Sequence, residues 1–132
     1  MKLNFYKVVS IITAALFVFL FYQLFFCADA FCQNLGLEPS VATSVLSRRT
    51  SMFMLGLSVL LFSSRNLPPS KARNYICLST GVTMVGLACM GSYELWMGRV
   101  NTSILSAIAI EIPLGMSFLL LLFKNRKVEI SD

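Results

Sequence analysis

The sequence predicts an all-α fold: a polytopic membrane protein built as a single four-transmembrane-helix bundle over residues 1–132. Three observations lead there. The chain is 57% hydrophobic and only 13% charged, where a soluble domain carries about 25% charged residues. Its apolar residues collect into four long segments, and a helix that crosses the roughly 30 Å hydrocarbon core needs ~20 mainly apolar residues. Finally, most Lys and Arg residues lie at the chain start, in the middle linker and in the tail, three places that four spans put on one side.

Helix one is expected over about 6–28, around VVSIITAALFVFLFYQLFFC, Val8 to Cys27. Lys2, Lys7 and the small residues Ala28-Asp29-Ala30 give it the look of a secretory signal. Its apolar run of about 20 residues is longer than the ~7–15 of a signal core, so an uncleaved span is expected. Leu24-Phe25-Phe26-Cys27 lacks the small residues that precede a lipidated cysteine. Phe17, Phe19, Tyr22 and Phe26 point in several directions, so some of them face lipid.

Helix two is expected over about 40–64. Its apolar run, Ser51 to Phe62, rises only about 18 Å. Pro68-Pro69 closes one end, so the helix must extend the other way, to Ser40 after Pro39, whose hydroxyl suits an N-cap. That extension carries Arg48 and Arg49 into the helix. Helix three is expected over about 74–98. Gly81, Val85, Ala88 and Ser92 share a face that lets another helix approach closely, inside the bundle or at a dimer seam. Met84, Met90 and Met97 read as gap fillers. Cys77 and Cys89 stand about 18 Å apart along that helix, too far to bond, and read as packing residues.

Helix four is expected over about 102–124 and contains SAIAIEIPLG, with Glu111 two residues before Pro113. Asn101-Thr102-Ser103 is a formal glycosylation sequon, but it lies against the helix start and is expected to serve as turn and cap. Ala107, Glu111 and Gly115 form one stripe, so a neighbouring helix is expected to approach closely beside the carboxylate. Pro113 frees the carbonyl of Ala109.

The three basic regions, Lys2 and Lys7, then Arg65, Lys71 and Arg73, then Lys124, Arg126 and Lys127, hold eight of the eleven basic residues. The positive-inside rule therefore predicts both termini in the cytoplasm. With Ser63 and Phe123 at that boundary, Arg49 stands about 21 Å and Glu111 about 18 Å into the membrane. Glu94 stands about 28 Å in, near the outer boundary, with Arg99 beyond it. The expectation is a charged intramembrane site in the outer half of the bundle: Arg48 or Arg49 with Glu111, and Glu94 and Arg99 nearer the surface. A carboxylate facing lipid is costly, so Glu111 should pair or hold a proton. The plainer reading is an ion pair that only fixes helix register; alternatively, each arginine snorkels to the headgroups without meeting Glu111.

No histidine is present, which removes the commonest metal and haem ligand and the usual general base. No catalytic residue, metal or cofactor is expected, and the chain reads as a non-enzyme. Cys27 and Cys32, at the outer end of helix one, suit a disulfide or two free thiols; their four-residue gap is not the CxxC of thiol oxidoreductases. The basic linker and tail suit contact with membrane lipid headgroups, not nucleic acid.

RRTSMFMLGLSVLLFSSR, a small-residue helix closing in ELWMGRVN, and AIAIEIPLG, in that order, resemble a bacterial family of small four-helix inner-membrane proteins, broadly DoxX-like. The resemblance covers roughly residues 45–123 and rests on Gly98-Arg99 and Glu111. It implies a four-helix fold in a bacterial inner membrane and supplies no catalytic residue. The expected function is a non-enzymatic membrane protein that binds or passes a small solute or proton at Glu111, as an oligomer. The alternatives are an accessory or assembly subunit meeting a partner membrane subunit, and a thiol redox protein using Cys27 and Cys32.

Overall fold

The computed structural model describes residues 4–129, with side chains to residue 125. The described residues form five helices and their connections, with no strand: α1 (Phe5–Phe26), α2 (Ala28–Asn34), α3 (Val41–Ser64), α4 (Lys71–Trp96) and α5 (Ile104–Glu129). Four helices, all but α2, are long and apolar enough to cross a membrane. The chain is therefore an all-α integral membrane protein with the expected four spans. We call "near" the end where α1 and α4 begin and α3 and α5 finish, and "far" the opposite end.

The fifth helix was not expected. Helix one was drawn as continuous to about residue 28, but Cys27 departs from helical geometry at φ −120°, ψ 32°, and α2 starts afresh after it. Asp29 lies in the first turn of α2, where a carboxylate complements the helix dipole. Gly36 stops α2 at φ 79°, with Leu37 N–H bonding Cys32 O at 2.9 Å and Gly36 N–H bonding Gln33 O at 2.9 Å. That is the double bond of a Schellman stop, for which glycine is favoured because it has no Cβ.

Ser40 caps α3 as its position predicts. Its hydroxyl accepts from Thr43 N–H at 3.1 Å, while Ser40 N–H donates to Thr43 Oγ1 at 2.8 Å. Arg48 and Arg49 consequently lie within α3. Helix α4 begins three residues earlier than the apolar pattern suggested, because Ser70 caps it through Arg73 N–H at 3.3 Å. Lys71, Ala72 and Arg73 are thus part of the helix and not of the linker. At the start of α5, Asn101 Oδ1 accepts from Ser103 N–H at 2.9 Å.

The helices pair in sequence order. α1 lies along α3 and α4 along α5, each an antiparallel hairpin with close backbone approach, and α1 touches α5 between the hairpins. Small residues set both seams. Ser58 Oγ donates to Ala14 O at 2.9 Å across α1 and α3. A Cβ on Gly115 would lie 3.0 Å from Met84 Cβ and 3.3 Å from Val85 N; one on Gly81 would lie 3.4 Å from Gly115 O. The part of the small face of α4 around Gly81, Val85 and Ala88 is therefore used inside the chain. Tyr6, Phe17, Leu61, Cys77, Met84 and Phe118 form the centre of the core. At the far end Asn101 N–H donates to Leu35 O at 2.9 Å, fastening one hairpin to the other.

Candidate functional site

Arg48 and Arg49 are exposed on α3, whose neighbours are α1 and α2. Glu111 is half-buried on α5, whose neighbours are α4 and α1. The axial levels deduced from the sequence said nothing about direction around each helix, and the two hairpins turn these charges to different neighbours. Among the described residues Glu111 has no hydrogen bond and no ion pair, so the expected contact of Arg48 or Arg49 with Glu111 is not made within the chain. On the stripe next to Glu111, Gly115 packs on Met84 and Val85, while Ile108 packs on Gly91. Glu111 stands between these two points of contact.

Glu94 and Arg99 do meet, at 3.3 Å, with the arginine side chain 56% and the glutamate 30% exposed. The turn that joins them is set by backbone: Arg99 N–H bonds Glu94 O at 3.0 Å and Gly98 bonds Leu95 O at 3.0 Å, with Gly98 at φ 68°. Such an open pair contributes at most about 1 kcal/mol. It closes the far end of α4 and makes no ion pair with Glu111. Cys27 is half-buried, Cys32 buried, and all four cysteines are free thiols. Asp29 accepts from Ser44 Oγ at 2.6 Å, tying α2 to α3.

The structure assembles a second polar cluster that the sequence reading did not find. Arg73, counted there with the topology charges of the linker, is only 4% exposed. Its guanidinium carbon lies 4.3 Å from the centre of the Tyr6 ring, and the Cys77 thiol, one helical turn on, is within its electrostatic reach. Tyr6 is fully buried and its hydroxyl donates to Ser64 Oγ at 3.3 Å. Beside them Asn125 Nδ2 donates to Asn74 Oδ1 at 3.2 Å, both residues buried. Ser10 and Thr13 follow Tyr6 along the buried face of α1, and their hydroxyls have no hydrogen-bond partner. Arg73 Nε has none either.

A buried cation normally has a carboxylate beside it. Arg73 has none among the described residues. The tyrosine face returns about 0.5–2 kcal/mol, less than the several kcal/mol that a desolvated ion loses. An uncompensated buried guanidinium is chemically suited to holding an anion. The sequence held one usable signal: Ser70, directly after Pro68-Pro69, is an N-cap that moves Arg73 to the third helical position.

Comparison with family models, with curated proteins and with solved structures finds no match to this chain.

Proposed function

We propose that this protein is a non-enzymatic component of a bacterial inner membrane, with both termini in the cytoplasm, that works as an oligomer. Glu111 of one copy meets Arg48 or Arg49 of the next, and the resulting charged site binds or passes a small solute or proton. One observation carries this reading: a mid-span carboxylate and two arginines at a similar depth are all without a carboxylate–guanidinium partner among the described residues of their own chain. Leaving charges of opposite sign turned toward lipid is expensive, and a neighbouring copy supplies each with its complement. Membership of the small four-helix family rests on the residues 45–123 pattern alone and is part of this proposal.

A second reading has its own support. Helix α3 buries only 17% of its spanning window inside the chain, so much of its surface is available to a different membrane subunit. Gentle detergent extraction followed by native mass spectrometry separates the two. The oligomer reading expects multiples of one mass, shifted toward monomer by Glu111→Gln and by Arg49→Gln. A second polypeptide in fixed ratio favours the accessory role, and a wild-type monomer alone refutes both. Proton and solute flux into proteoliposomes should fall at least tenfold in Glu111→Gln; equal flux would remove Glu111 from the path.

A further inference from the structure

We propose that the near end of the bundle holds an anion site seated on Arg73, built for a phosphate group. It lies at the near end, apart from the mid-span Glu111 contact proposed above, and does not depend on it.

Four observations converge there. Arg73 is buried without a carboxylate partner among the described residues, and its Nε–H has no acceptor there. The Tyr6 ring lies against the guanidinium and the Cys77 thiol within hydrogen-bond reach of it, so Nε–H is the donor left to a ligand; guanidinium N–H groups suit the oxygens of a phosphate. The guanidinium belongs to the first turn of the 26-residue helix α4. There Ser70 Oγ accepts Arg73 N–H and Ser70 O accepts Asn74 N–H, and among the described residues the backbone N–H groups of Lys71 and Ala72 have no acceptor. Unbonded N–H groups at a long helix start favour an anion. Finally, Lys71 and Lys124, the latter next to Asn125, are exposed at the same end, and would draw an anion toward the buried charge.

The level of the site selects phosphate. Arg73 is the third residue of a spanning helix, close to where a bilayer presents its headgroups, so a phosphodiester there needs little displacement to reach it. A soluble phosphate could bind through the same atoms. The two sources share one recognition chemistry and differ in delivery.

Thermal unfolding of the full-length protein, purified in neutral detergent, tests the proposal. One arm adds phosphatidylglycerol against phosphatidylcholine as control; the other adds inorganic phosphate against chloride at equal ionic strength. The expected result is a rise in Tm of several degrees with phosphatidylglycerol, with affinity about tenfold or more weaker in Arg73→Gln and intermediate in Arg73→Lys, which keeps the charge and loses the fork. Lys124→Gln should keep most of the response. A response to phosphatidylglycerol alone assigns a lipid headgroup; one to inorganic phosphate, with or without the lipid, assigns the phosphate group itself. No response of the wild type in either arm overturns the site, whether or not Arg73→Gln folds. A response lost in Lys124→Gln but kept in an Arg73 variant also overturns it, because diffuse surface charge would then be responsible.

Discussion

Tyr6 does three things at one position: it fills the core, bonds Ser64 on α3 and covers Arg73 on α4. These separate by substitution. Tyr6→Phe removes only the hydroxyl bond and should cost about 1 kcal/mol. Tyr6→Ala also opens a cavity and uncovers the cation, and should cost about 3–5 kcal/mol. Reversible denaturation in mixed micelles measures both; equal losses would mean that the ring contributes nothing beyond its hydroxyl. At this scale the sequence was least legible. Arg73 looks like any other basic residue of a linker, and what distinguishes it, its burial against an aromatic ring, comes from Tyr6, 67 positions away on another helix. Glu111 shows the complementary limit. Rise per residue gives its depth, but the direction it faces depends on which helix α5 packs against.

The helices were far more legible, because their causes are local. Apolar length requires a span, Ser40 starts a helix, and the shortness of one apolar run forced α3 back to its cap, whereas the start of α4 at Ser70 lay three residues outside the apolar pattern. The break at Cys27 was missed because no proline or glycine marks it. Glycine positions now allow a sharper forecast. Gly115 sits where a Cβ would press on Met84 Cβ and Val85 N, whereas Gly86 has nothing within 4 Å. Gly115→Ala should destabilise by about 1–3 kcal/mol, and Gly86→Ala should stabilise by about 0.5–1 kcal/mol through lower backbone entropy in the unfolded chain. Melting temperatures that move in the same direction would contradict the packing of α4 on α5. At the start of α3, Ser40→Ala removes the hydroxyl half of the capping box, leaves Ser40 N–H bonded to Thr43 Oγ1, and should cost about 1 kcal/mol, read as earlier hydrogen exchange of the first turn.

For the molecule as a whole, composition and the four apolar runs were enough to give class and span number, while the arrangement of spans was not encoded in any pattern visible one helix at a time. Four amphiphilic faces with little periodic contrast can be arranged in several ways. The choice made here follows from where small residues let backbones touch: Ala14 with Ser58, and Gly81 with Gly115.

Pairing helices that adjoin in sequence has a consequence for assembly. Each hairpin finds its partner helix within its own stretch of chain, so closing either loop is entropically cheap and needs nothing from the other half. The first hairpin can be complete while the second is still being synthesised, and joining them is a docking step with a few fasteners at either end. Severing the chain at Pro68-Pro69 should therefore leave two fragments that reassemble when co-expressed, with the second recovered through an affinity tag on the first. Severing it between Val85 and Gly86, inside α4, should not.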